Sequence, residues 1–466
     1  MLMCLEIQPL RRRHARHWCI RVCHPPKWVS LGLPVCYLAQ VVLPRKNGAG
    51  QHVLGSGTNA SSPGRAQKVD FHVPHPLSLN VVGLFAGVGA FERGLAQAGH
   101  TPLMLCEIDA GAVRILETRF PPIPIQRDVR KLRELPPDTE LVVGGFPCQD
   151  LSQAGRTTGI DGANSGLVGE ILRLLRKRPI PWVVMENVPF MLHLAGGRAI
   201  STITSALEKL GYNWAYRTVD SRSFGVPQRR RRVYLVASLG SDPCRVLFAD
   251  NAGEKTPCRP EDRSACGFYW TEGNRGLGWA IDAVPPLKGS TTIGYPSPPA
   301  IILPSGDIVT PDIRDAERLQ GLPMDWTRPA EEVVRRSLRW KLVGNAVTVP
   351  VARWIGRRIA RPGDTVGCAA SDWDPTLPWP TAAAYSGGRR QRLDASEWPV
   401  RSKYTSLLDF LKFPGVPLSY RATSGFHARV SKSSLRLPPG LIEALVSHRE
   451  RMRHVRPMNR TAPKAC

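Results

Sequence analysis

No apolar run in the 466-residue chain reaches the eighteen or so residues that a membrane span requires; the nearest, Leu31 to Leu43, is interrupted by Pro34. No membrane partner is therefore expected. A cysteine framework is also missing. The eleven cysteines are an odd number and scattered, which argues against disulfides and for a reducing compartment. Cys19, Cys23, His24 and Cys36 fit no strong zinc spacing, so no metal is expected, and Cys244, Cys258 and Cys266 read as structural or incidental. Acidic residues are scarce: 38 Asp and Glu stand against 63 Lys and Arg, a formal charge of +25. That excess predicts attraction to a polyanion, with nucleic acid the first candidate. Phosphate contacts of this kind weaken with salt and carry little sequence information.

The shortage of acid is sharpest in the first thirty residues, where Glu6 stands alone among Arg, His and Cys. No signal-peptide layout is present. Residues 1–76 are read as a leader, either disordered or translated from a misassigned start. After Met3 the next methionine is Met104, so a shorter product would need another start, for example at Val69 or Val73. No internal repeat is apparent.

From Leu79 to Ser238 short apolar runs alternate with helical patterns, the signature of a βαβ sheet. Strands are expected at Asn80–Phe85, Leu103–Ile108, Leu141–Gly145, Trp182–Glu186, Asn213–Val219 and Val233–Ala237. Helices are expected at Phe91–Ala98, Ala110–Phe120, Gly166–Lys177 and Ala199–Leu210. Residues 77–238 thus form one α/β domain, 239–310 a smaller Gly- and Pro-rich domain or insertion, and 311–361 a return to regular structure. Residues 362–466 are read as a linker and a basic, partly amphipathic extension. Such sheets bind ligands at the carboxyl ends of their strands, where the chemically interesting residues lie.

The turn Phe85-Ala86-Gly87-Val88-Gly89 offers close backbone approach and exposed N–H groups at a helix start. Glu92 stands where a dinucleotide fingerprint would have its third glycine. Glu107, about twenty residues on, is placed to accept from ribose hydroxyls, and Asp128 to accept from an adenine amino group. Together they outline a nucleoside pocket without a pyrophosphate cradle. Cys148, in Pro147-Cys148-Gln149, follows an apolar strand and precedes a polar loop. A free thiol is mostly protonated at neutral pH and needs positive charge nearby to become a nucleophile. Arg230 and Arg232, alternate residues of one extended segment, share a face and could supply it. Glu186 ends the apolar run Trp182 to Met185; at that depth a carboxyl favours its protonated form, which suits donation to a ring nitrogen.

Taken in order, Phe-Ala-Gly-x-Gly, Pro-Cys-Gln, Glu-Asn-Val, Gln-Arg-Arg-Arg-Arg, Glu-Arg-Leu-Gln-Gly-x-Pro and Gly-Asn-Ala-Val strongly resemble the DNA cytosine-5 methyltransferases, over about residues 79 to 360. The resemblance implies an α/β, Rossmann-like, S-adenosylmethionine-dependent sheet with a smaller loop-rich target-recognition domain. It implies that Cys148 attacks C6 of a flipped cytosine, that Glu186 engages N3 and the exocyclic amine, and that Arg232 contacts O2 with Arg230 beside it. Phe85, Gly87, Gly89, Glu107, Ile108, Asp128 and Asn345 would surround S-adenosylmethionine. Gln149–Arg156 resembles the family's mobile catalytic loop. The implied partners are double-stranded DNA and, functionally, a restriction endonuclease; the implied protein is a monomer of bacterial cytoplasm, associated with the nucleoid. The alternatives are methylation of tRNA, although the Cys-Phe-Thr of that branch is missing, and a catalytically inactive DNA-binding relative. Gly83, Ala90, Ile108 and Ser165-Gly166 depart from the usual Asp, Gly, aromatic and Arg-Gly.

Overall fold

A computed structural model describes residues 6–10 and 17–21 by their backbone, and residues 77–146, 166–253, 265–289, 297–366, 368–374 and 376–455 with their side chains. The chain divides into two units, Met1–His72 and Val73–Cys466. In the first, where no fold was expected, Glu6–Leu10 pairs antiparallel with His17–Arg21. The period-two alternation of apolar residue types there (Ile7, Pro9; Trp18, Ile20) is a strand signal that composition alone conceals.

In the second unit the chain forms β1 (Asn80–Leu84), α1 (Ala90–Ala96), β2 (Thr101–Cys106), α2 (Ala110–Arg119), β3 (Ile125–Gln126), β4 (Leu141–Gly145), α3 (Gly166–Lys177), β5 (Trp182–Asn187), α4 (Arg198–Lys209), β6 (Asn213–Asp220) and β7 (Arg231–Ser238). β8 (Cys266–Phe268), β9 (Trp279–Ile281), β10 (Ala300–Ile302) and β11 (Ile308–Thr310) follow, then α5 (Ile313–Leu319), α6 (Arg339–Asn345) and α7 (Val349–Ala360). The chain ends in β12 (Ala370–Asp372), β13 (Ala382–Ser386), β14 (Arg389–Leu393), β15 (Val416–Pro417), α8 (Tyr420–Val430) and α9 (Leu441–Met452).

The large sheet has the order β12-β14-β13-β6-β7-β5-β4-β1-β2-β3. β1 to β5 pair parallel, but β7 runs antiparallel to both β5 and β6. The βαβ expectation therefore fails at its last step. Only residues 221–230 join β6 to β7, too few for the crossover that a parallel pair needs. One consequence matters for chemistry: the start of β7 lies at the same sheet edge as the ends of β1, β4 and β5.

Both faces of this sheet are covered, and β5 accordingly reads as one buried run. Ile171, Leu175, Ile200 and Leu207 of α3 and α4 pack on one face with Val142 and Val183. Phe91, Leu95, Val351 and Ile355 of α1 and α7 pack on the other with Val81, Val143 and Val184. α2 starts where Asp109 caps Gly111 and Ala112, at 3.0 and 3.2 Å.

The segment after Ser238 stays with the large sheet at first, since Val246, Leu247 and Phe248 join its core. The small sheet, β9-β8-β10-β11-β15, is antiparallel. Its core unites Phe268, Ala300 and Ile308 with Phe426, Val430, Leu441 and Leu445 of α8 and α9. Residues 362–466, expected as linker and extension, thus enter both sheets. β13 pairs with β6, and buried Arg217 of β6 donates to the carbonyls of Ser396, Leu247 and Asp250. Short strands lacking alternation, such as Ala382-Ala383-Ala384, leave no period to read; they form because the large sheet offers β6 as an edge.

Candidate active site

Sheet order places the ends of β1, β4 and β5 and the start of β7 side by side. Leu84 pairs with Gly144, Gly145 with Glu186, and Glu186 with Tyr234. Beyond β1 the backbone turns through left-handed conformations at Phe85, Gly87 and Gly89, with φ of 55°, 55° and 74°. Glycine is required twice over at Gly89, where a Cβ would lie 2.2 Å from the Phe120 ring.

The turn is fastened to Glu107. Its carboxylate accepts from the amides of Gly87 (2.8 Å), Ile108 (2.9 Å) and Asp109 (2.8 Å). Three of about four acceptor positions are therefore used, leaving one for a ligand hydroxyl. Ile108 stands 63% exposed at the lip, an apolar platform. Asp128 accepts from the amide and guanidinium of Arg130, which hold its carboxyl below the ordinary range. An adenine amine would have to compete with that fork.

A cleft with about 340 Å³ of empty space opens over the turn, lined on one side by Phe85, Gly87 and Glu92 and on the other by Gly145, Asn345 and Val347. Phe85, Gly87 and Asn345 are thereby brought together, whereas Gly89, Glu107, Ile108 and Asp128 lie outside its walls. α6 delivers Asn345 by close backbone approach: a Cβ on Gly344 would sit 2.4 Å from the Lys288 carbonyl carbon.

At the next strand, Glu186 is 7% exposed. Arg232 Nε lies 3.0 Å from its Oε1, outside hydrogen-bond geometry, so the contact is ionic and Oε1 is left without a donor. Gly145 makes room, since a Cβ there would come within 3.1 Å of Glu186 Oε2. Arg230 behaves differently from Arg232. Fully buried, it donates to the carbonyls of Gly344 (3.2 Å) and Ala346 (2.8 Å). Burial and the neighbouring Arg232 pull its guanidinium down to about 10. Its hydrogen bonds clamp the corner that carries Asn345. Cys148, Pro147, the loop Gln149–Arg156, Ser165, Cys258, and the side chains of the leader lie outside the described residues.

Several contributors carried no assigned role in the sequence reading. Asn187 donates to the Phe146 carbonyl at 3.1 Å and so fixes the chain two residues before Cys148. Gln228 donates to Leu319 O and accepts from Leu287 N, tying the arginine run to α5 and to the segment after β9. Gln320 bonds Val343 O, and Thr348 joins Gln320 to Ser221. Glu317 is fully buried against Arg339 at 2.9 Å and also accepts from Thr327. The signal for these was the motif itself: polar residues among apolar ones, with no side-chain partner nearby in sequence.

A family profile for C-5 cytosine-specific DNA methylases matches residues 79–260. The Type II methyltransferase M2.BsuMI of Bacillus subtilis (strain 168) is 46% identical over 370 residues, 76% of this chain and 94% of that protein. The chain belongs to the C-5 cytosine-specific DNA methylase family. Type II methyltransferase M.SsoII of Shigella sonnei is 28% identical over 61% of this chain and 82% of its own. Type II methyltransferase M.Bsp6I of Bacillus sp. (strain RFL6) is 29% identical over 60% and 98%. As a DNA cytosine-5-methyltransferase the chain transfers a methyl group to one carbon of a pyrimidine. The C5 methylase profile ends at residue 260, before the small sheet begins.

Proposed function

We propose that this methylase transfers a methyl group to C5 of a cytosine flipped out of a specific double-stranded DNA sequence, through a covalent bond between Cys148 and C6, in a bacterial restriction-modification setting or as a solitary enzyme. The observation that carries the reading is Glu186: a buried carboxylate with a donor-free oxygen, 3.0 Å from Arg232, beside the strand that leads to Cys148. That oxygen has the charge of Arg232 beside it but no hydrogen-bond donor, so it can still accept one from a ligand.

The Cys148 thiolate adds to C6, forming S–C6 while the C5–C6 π pair shifts toward C5 and N3. Glu186 holds or delivers a proton at N3 and receives the exocyclic amine. Arg232 keeps the Glu186 carboxyl oriented and offers its free N–H groups to O2. S-adenosylmethionine, when bound, supplies the electrophilic methyl that C5 takes up. A solvent-derived base then removes the C5 proton, the electron pair left behind re-forms C5–C6 as Cys148 departs as thiolate, and N3 gives its proton back to Glu186. Phe85, Gly87 and Asn345 would flank the donor, with the last acceptor position of Glu107 for a ribose hydroxyl and Ile108 for the adenine face. The cleft fits that group: apolar walls, exposed backbone and one acid. Arg230 acts as a positioning residue through the 344–346 corner. Base extrusion costs a few kcal/mol, which groove and loop contacts must offset.

Covalent trapping on DNA containing 5-fluorocytosine tests this. An adduct at the Cys148 peptide, dependent on the methyl donor, is expected; no adduct on any duplex, or one at another residue, would sink the mechanism.

A further inference from the structure

Glu92 is unlike every other acid at this edge. It sits on α1, 1% exposed, and lines the cleft. Its Oε2 has no hydrogen-bond partner, and the carboxyl makes no ion pair among the described residues. The site is built around it, for a Cβ on Gly83 would fall 2.0 Å from Glu92 Oε1. Among the residues that line the cleft it is the one ionisable side chain.

The surrounding charges do not neutralise it. Glu107, at the end of β2, adds repulsion. Arg93, next on α1, is turned onto the Trp326 ring 4.7 Å away, where Arg119 of α2 also lies. α7 meets α1 through Ala352 and the backbone near Val349, and its Arg358 is held by Asp250. Burial, chiefly, opposed by a hydrogen bond from its own backbone amide and helped by Glu107, lifts the Glu92 carboxyl to about 8.

We propose that Glu92 is a cofactor-binding residue: its carboxyl, with one oxygen bare in the wall of the cleft, ionises to meet the positive charge of S-adenosylmethionine, so that binding the cofactor releases a proton. This rests on the cofactor reading above. A buried acid is the economical counter-charge for a cationic ligand, since it is neutral while the cleft is empty and charged when the ligand supplies a partner. The sign follows from linkage. A ligand that favours the ionised form binds more tightly as pH rises toward the free-protein value, and not beyond it.

The test is calorimetric titration of the whole chain with S-adenosylmethionine in buffers of different ionisation enthalpy, without DNA or turnover. With a carboxyl near 8, roughly nine-tenths is protonated at pH 7, so close to one proton should leave per cofactor. Affinity should rise by about 25-fold from pH 6.5 to 8.5 relative to Glu92→Gln. That variant, nearly isosteric with the protonated acid, should release no Glu92 proton and bind more weakly. S-adenosylhomocysteine, which lacks the sulfonium charge but keeps the ammonium, says which charge is met: retained release means the ammonium, lost release the sulfonium. Equal proton release by wild type and Glu92→Gln would overturn the proposal and make Glu92 a structural acid. Should the variant not fold, wild type alone decides, because no release at pH 7 overturns it too. Absence of binding by a folded wild type would instead remove the cofactor reading itself.

Discussion

The large-sheet edge and the small sheet solve the same problem, placing polar groups on a buried frame, with opposite use of sequence. At the edge, the acids belong to a local signal: an apolar strand that ends in a polar residue, as at Glu186 and Glu107. The small sheet and the helices packed on it are assembled from residues 266–310 and 416–452, more than a hundred positions apart. Local order therefore makes chemistry legible, whereas long-range closure hides architecture. The contrast extends to charge. Of the edge acids, Glu107 is held by backbone N–H groups while Glu186 and Glu92 each keep an oxygen without a donor; His448 and Arg429 of the small lobe bond backbone groups at Ile308, Leu418, Trp270 and Glu272.

Breaking the edge should show first in catalysis. Cys148→Ser is expected to reduce methyl transfer to background while DNA affinity stays within about twofold; retained turnover would mean the nucleophile lies elsewhere. Glu186→Gln should lower kcat by about 10²–10⁴-fold, the range of general acid–base contributions. Breaking the frame should show first in unfolding. Arg339→Leu leaves Glu317 buried without its counter-ion and should destabilise by about 3–5 kcal/mol in denaturant melts, since an unpaired buried charge is expensive. Phe426→Ala, which empties a stacked contact with Phe268 5.2 Å away, should remove a similar 3–5 kcal/mol from the small lobe. Hydrogen exchange would localise that loss; protection lost in the large sheet instead would break the two-region distinction.

The smallest expected effect is electrostatic. Glu92 carries a folded value of about 8 against an ordinary 4.5, so the folded state binds the extra proton between those limits. Its contribution to stability is present below about 4.5 and fades as pH rises through about 8. Cofactor-free Glu92→Gln should therefore show a flatter stability profile between pH 5 and 8 than wild type, by an amount on the order of a few kcal/mol at most. Parallel profiles would place the Glu92 carboxyl near its ordinary range.

The strands from Asn80 to Ser238 were legible because their apolar runs are continuous and bounded by turns. The direction of β7 was not, since period says nothing of strand sense; only the ten-residue connection does. Arg230 and Arg232 look equivalent two residues apart, yet one clamps Gly344 and Ala346 and the other faces Glu186. Their difference lies in what α6 brings back from residue 344, which no local pattern encodes. Glu92 was visible only as a misfit in a glycine fingerprint. Deleting residues 416–455, which as a mere basic tail would only flatten salt dependence, should instead unfold the small lobe, because β15 and half its core go with them.

The most direct test of the central claim is bisulfite sequencing of DNA from cells expressing wild type or Cys148→Ser. Protection of cytosine within one short sequence context, present with wild type and gone with the variant, is the predicted result. No protected context, or the same one with Cys148→Ser, would contradict it.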